Sequence, residues 1–233
     1  MSAAATSPAP VRRPTDAGVS LAELLVAIMV FGIVMAVATS TFISLTRATS
    51  QSRSIDTATR QATNGMDSMA RVVRSASNNP VPNSAAPTPA FSVAGVSELT
   101  LISSVNLTGS TTKPQLTTYR VDPATRGLVE STTQSVGVSA SASSTFWQFT
   151  GATTSRVLAS PVRGTATPLF RYYDVGGTEI LPAATGYLTD AQEKSIASVS
   201  ITLTVGRADS ATAGVTLSTV AVLSNLFPSA VTP

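Results

Sequence analysis

The sequence predicts an α+β protein, with one long N-terminal helix followed by a domain of antiparallel strands. Three observations carry that expectation. Leu24 to Thr46 contains no charged residue. Beyond Arg47, the residues Ile55, Thr59, Ala62, Met66, Met69 and Val73 recur at spacings of three and four, the period of one helix face. From Glu98 onward, short runs alternate apolar with Ser or Thr between clusters of Gly, Pro and Asp, the pattern of half-buried strands and their turns.

The apolar run sets the first element. A helix needs about 20 apolar residues to cross a bilayer core of roughly 30 Å. Leu24 to Leu45 supplies 22. Gly32, Thr39, Ser40, Thr41 and Ser44 interrupt it only with small or hydroxylated residues. Arg12 and Arg13 precede it against the single Asp16, which favours a cytoplasmic N-terminus with the bulk of the chain outside. An ordinary secretory signal has a shorter apolar stretch of about 7–15 residues and a small-x-small cleavage site, for which Ala36-Val37-Ala38 would serve. Arg12-Arg13 would serve a twin-arginine signal. Neither alternative gives a role to Glu23, a carboxylate at the start of a membrane helix, where an acid is costly.

Gly18, closing a polar leader, with Glu23 five residues beyond it and the uncharged run after that, resembles the class III signal peptide of type IV pilins and type II secretion pseudopilins. The resemblance implies a pilin-like fold, the first half of the helix spanning the membrane and the second packed on the sheet of the head. It implies that a prepilin peptidase cuts between Gly18 and Val19 and that the Val19 amine is then methylated. Val19 stands where phenylalanine or another large residue is commonest in that family. The resemblance further implies that Glu23 pairs with the N-terminal ammonium of a neighbouring subunit. Such a pair is strong in low dielectric and fixes the register of one helix on the next. The implied partners are the peptidase, other pilin-like subunits, membrane lipid and, indirectly, a platform protein and an assembly ATPase. The chain then divides into leader 1–18, which is removed, filament-core helix 19–46, amphipathic continuation 47–77 and β-rich extracytoplasmic head 78–233.

In the second half of the helix the stripe faces inward, and Arg47, Arg53, Asp56, Arg60, Asp67, Arg71 and Arg74 occupy the wet faces. Asn78-Asn79-Pro80 ends the helix, because proline disfavours helix in the residue before it. Unbroken from Val19 to Ser77, it would reach about 90 Å, with Gly32 and Gly65 as places where it could bend. Asn78 to Ala90 is a loop rich in Pro, Asn and Ser.

Strands are expected at Glu98–Ser103 and at Leu116–Val121. The second forms a hairpin with Leu128–Thr132 through the turn Asp122 to Gly127. Leu169–Val175, Ile196–Val205 and Val215–Leu223 complete the set, with Arg207 to Gly214 as the last loop. Short sequential connections favour antiparallel pairing. Phe170 to Gly177, Leu188-Thr189, Ile196 to Leu203 and Val220 to Leu226 loosely resemble W-type minor pilins and the J-type pseudopilin. Leu223-Ser224-Asn225 departs from that pattern, in which an arginine commonly precedes the asparagine.

Composition narrows the function. The chain has no cysteine and no histidine. Thiol catalysis, disulfides and serine–histidine nucleophiles are therefore absent, as is the commonest metal ligand. No enzymatic activity, cofactor or metal is expected. Asp174, Glu179, Asp190 and Glu193 place four acids within 20 residues, but EF-hand spacing is missing and solvated acids are the simpler reading; calcium binding there stays open. The net charge of +3 does not indicate nucleic acid. Thr46 to Arg74 holds five arginines against two aspartates, whereas Ser75 to Pro233 balances eight basic with eight acidic residues. A neutral head is a poor footprint for phosphate, and the helix arginines suit lipid headgroups or acidic neighbours. Phe146, Trp147 and Phe149, and Tyr172-Tyr173, are expected in core and edge packing. The function expected is a structural subunit, more often minor than major, of a type IV pilus or pseudopilus serving motility, competence or secretion. The alternative is a membrane-anchored, adhesin-like binding module that enters no filament.

Overall fold

A computed structural model of the chain describes residues 18–81, 87–106, 113–141, 144–164, 167–206 and 214–226. The expected leader with Arg12, Arg13 and Asp16, the middle of the Asn78–Ala90 loop and nearly all of the Arg207–Gly214 loop lie outside the described residues. The chain divides into two compact units, one ending at Ser50 and the other beginning at Gln51.

The helix, α1, spans Leu21–Arg74 and is continuous through Gly32 and Gly65. Within the first unit every described residue is exposed. Within the second, burial begins at Ala62 and includes Gly65, Met66, Met69, Val72 and Val73. Ile55 and Thr59 belong to the predicted stripe but are exposed. Gly65 is a point of close packing in an unbroken helix: a methyl group there would meet Leu158 and Leu203 side chains at 3.6 Å. The helix stops three residues short of Ser77. Ser75 Oγ bonds back to the Val72 carbonyl at 2.8 Å. The chain then turns to the sheet, with Ser77 N donating to Ile102 O at 3.0 Å.

The strands are antiparallel throughout. β1 (Phe91–Ala94), β2 (Glu98–Asn106), β3 (Lys113–Val121), β4 (Leu128–Gln134) and β7 (Thr153–Ala159) form a five-stranded sheet in that order. β5 (Val136–Ser141) and β6 (Ser144–Gln148) form a hairpin inserted between β4 and β7. β8 (Phe170–Tyr173), β9 (Glu179–Ile180), β10 (Ser198–Val205) and β11 (Val215–Val222) form a second sheet in the order β11-β10-β8-β9. A one-turn helix, α2 (Asp190–Glu193), is capped by Thr189, whose side chain accepts from Gln192 N. The expected β3–β4 hairpin is present, pairing Val121 with Leu128. Arg126 closes it at φ 55°, a left-handed conformation uncommon outside glycine and asparagine.

One core serves both sheets and the outer part of α1. Met66, Met69 and Val73 meet Leu99, Leu101, Tyr119, Phe170, Tyr172, Ile201 and Leu203. Alternation selects these residues: on β10, Val199, Ile201 and Leu203 are buried, while Ser198, Ser200 and Thr202 are half-buried. Tyr172 donates its hydroxyl to Gly95 O at 2.7 Å, so the buried phenol is satisfied and joins the two sheets. Phe146, Trp147 and Phe149 are half-buried; Asn79 Nδ2 donates to Trp147 O at 2.8 Å.

Candidate processing and membrane-anchor site

Gly18, Val19 and Ser20 precede α1 outside any regular element, and all three are exposed. Gly18 has open space around the position of a side chain. Ser20 caps the helix. Its Oγ accepts from Glu23 N at 3.2 Å, and its carbonyl accepts from Glu23 N and Leu24 N at 3.0 and 3.1 Å. Ser-x-x-Glu at a helix start is a capping-box sequence, and the structure forms the serine half of it. Sequence reasoning passed over this cap, although its spacing is visible in the chain. The Glu23 carboxylate makes no hydrogen bond or ion pair among the described residues, and it sits in the first turn, where the helix dipole favours an anion.

The 54-residue α1 contains a stretch long and apolar enough to cross a membrane, and none of that stretch is buried. Sixteen large apolar side chains from Val19 to Leu45 are exposed. At about 1.5–3 kcal/mol for each such side chain fully buried, leaving them in water forfeits tens of kcal/mol. The hydroxyls in and beside this run bond back to the helix: Ser40 and Thr41 to Val37 O, Thr46 to Phe42 O and Thr49 to Leu45 O, each at 2.9 Å. A hydroxyl satisfied in this way adds no unpaired donor to a hydrocarbon environment.

The four acids of the head do not converge. Glu179 takes both arms of Arg171, at 2.7 and 2.5 Å. Asp174 Oδ1 accepts from Thr178 N at 2.8 Å within its own turn. Glu193 is buried on α2, and Asp190 is exposed. Among the described residues no group of three or more acids is placed to hold a metal ion. Burial pushes the Glu193 carboxyl above the ordinary carboxylate range, Asp190 adds to this, and a hydrogen bond from the Ala94 backbone opposes it. An acid with a raised folded pKa favours the folded state most below its unfolded value. That stabilisation is lost as pH rises through the raised value. Glu193→Gln is therefore expected to flatten this part of the stability profile, the wild type losing melting temperature relative to the variant as pH climbs from the ordinary carboxylate range. A wild type that instead gained on the variant over that window would reverse the assignment.

Residues 13–39 match a family model described as the prokaryotic N-terminal methylation motif. No curated protein matches the chain. The matched segment holds Gly18, Val19 and Glu23 together with the first half of the exposed apolar run.

Proposed function

The chain carries the N-terminal methylation motif of the type IV pilin and pseudopilin family, and we propose that it is a minor structural subunit of a pilus or pseudopilus. The observation that carries this reading is the coincidence of that motif with a capped apolar segment, Leu21 to Leu45, that is wholly exposed and whose one acid, Glu23, is unpaired among the described residues.

The leader 1–18 directs the N-terminus to the cytoplasm, and a prepilin peptidase hydrolyses the peptide bond between Gly18 and Val19. That bond lies one residue before the Ser20 cap, in exposed chain with no side chain on the Gly18 side to obstruct an active site. The cut leaves an ammonium on Val19, which is then methylated. A cation at a helix N-terminus opposes the dipole, so this new charge calls for an anion. Glu23 of a neighbouring helix supplies one. Residues 19–46 wait in the membrane, move into the filament core on assembly, and are covered there by the same segment of other subunits. Residues 47–74 continue the helix, Ser75 to Ser77 lead out of it, and residues 78–233 form the extracytoplasmic head. A platform protein and an assembly ATPase drive the assembly step indirectly. The minor role rests on the loose W- and J-type pattern of the C-terminal half and on a sparsely charged head.

The test is the intact mass and N-terminal sequence of the chain isolated from its native membrane. A mature chain beginning at Val19, with or without one methyl group, supports the reading. A chain that keeps residues 1–18, or one cut after Ala38, would leave an anchored or secreted binding module outside any filament.

A further inference from the structure

Two open clefts flank the last turns of α1. One, about 350 Å³, is floored by Ser103, Gln115, Thr117, Thr132 and Thr154 of the five-stranded sheet. The other, about 650 Å³, lies between Asn64, Asp67, Arg71 and Arg74 of the helix and the edge strand β7. Ser68, Arg71 and Arg156 line both. Register explains the floor. Leu101, Thr117, Thr132 and Thr154 stand opposite one another in a row across β2, β3, β4 and β7. Ser103 and Gln115 form the next row. The helix-facing side of the sheet thus turns from leucine to hydroxyl and amide near the end of the helix.

Three features show that this surface is more than wet packing. Ser103 is 1% exposed, yet its Oγ has no hydrogen-bond partner among the described residues. A buried hydroxyl left without a partner costs about 1–3 kcal/mol, so most native ones are satisfied. Arg156 is committed to Glu130 and Ser68. Arg71 and Arg74 make no ion pair or side-chain hydrogen bond among the described residues; of the two acids in the linings, Glu130 is already held by Arg156 and Tyr119, which leaves Asp67 against the two arginines. The rim of both clefts is therefore cationic, and the floor can both donate and accept. The linings include no aromatic side chain, and their apolar side chains are Val72, Val157 and Leu158. That chemistry does not suit an acyl chain or the anchor residues of an apolar peptide. It suits a polyol that carries a carboxylate. We infer that the paired clefts bind an acidic saccharide, its hydroxyls on the Ser103–Thr154 floor and its carboxylate on Arg71 and Arg74.

The experiment is calorimetric titration of the full chain in detergent micelles with tri-galacturonate, the neutral galactose trisaccharide and tri-glutamate. Saturable binding of tri-galacturonate is expected. It should weaken about tenfold or more in Arg71→Gln/Arg74→Gln, the scale of one lost charge-assisted hydrogen bond. Ser103→Ala, which removes an unpartnered hydroxyl and so leaves folding intact, should weaken it by a smaller factor. Arg47→Gln/Arg53→Gln, which removes the same charge elsewhere on the helix, should leave binding unchanged. Absence of saturable binding overturns the inference. So does equal weakening in Arg47→Gln/Arg53→Gln, which would mark general charge attraction. Tri-glutamate binding as tightly, with the same dependence on Arg71, would assign the clefts to an acidic peptide instead.

Discussion

Glu23→Gln is expected to leave the chain processed at Gly18 and resident in the membrane, yet to lower its incorporation into filaments by roughly two orders of magnitude. The substitution separates the helix-start role from the proposed assembly role of the same residue. As the fourth residue of Ser20-Leu21-Ala22-Glu23, it completes a capping-box sequence, and glutamine serves that position as well as glutamate. A helix-start role alone therefore predicts little effect. A pair with the Val19 ammonium of a neighbour requires the negative charge. Leaving a buried charge without its partner costs about 3–5 kcal/mol, which is at least a hundredfold in an equilibrium. Ser20→Ala supplies the complementary control. It removes the observed bond to Glu23 N and should cost about 1 kcal/mol of helix stability, with only a small loss of incorporation. The measurement is the ratio of filament to membrane subunit by immunoblot of sheared filaments. A glutamine variant that assembles like the wild type would reduce Glu23 to a capping residue.

The N-terminal motif was legible because it is linear. Gly18, Val19 and Glu23 lie within one short segment, and the uncharged run beside them is long enough to identify itself. The fold was legible wherever burial is one-sided. Met66, Met69 and Val73 were found because the helix face meets the sheet there, and Ile201 and Leu203 because strict alternation betrays a half-buried strand. Ile55 and Thr59 were misplaced for a physical reason. Periodicity marks a face of the helix but not how far along it the sheet reaches, and burial begins only at Ala62. β5, β6 and β7 went unseen because their Ser, Thr and Gly content leaves little apolar contrast; five of the seven residues of β7 are exposed. The clefts at the end of α1 were invisible as well. Arg71 is 32 residues from Ser103 and 85 from Arg156, and only strand register brings the three together.

The same register builds a polar cluster with a large stabilising effect. Arg156→Ala is expected to cost about 3 kcal/mol, measured as a lower urea midpoint at unchanged slope for the full chain in detergent. The cost does not come from Arg156 itself, whose side chain is 62% exposed, but from its partner Glu130, 7% exposed. Glu130 takes the Tyr119 hydroxyl on one oxygen at 2.8 Å and the Arg156 guanidinium on the other. Tyr119 is fully buried, and burial together with the adjoining carboxylate pushes its phenol far above the ordinary range, so it remains a donor. Arg156 also donates to Ser68 Oγ at 2.8 Å, tying the outer part of α1 to the sheet. Without the arginine, a buried carboxylate keeps one neutral donor and loses its counter-charge. Glu130→Gln in the same background removes that charge while keeping an acceptor for Tyr119. The double variant should therefore be more stable than Arg156→Ala alone, and its cost should fall well below the sum of the two single costs. Arg171→Ala is the contrast. It breaks the more exposed pair with Glu179, whose two side chains are 41% and 28% exposed, and solvent screening should leave the midpoint unchanged. If Arg156→Ala were equally silent, Glu130 would have to be reached by water, and the cluster would be a surface ion pair with no hold on the helix.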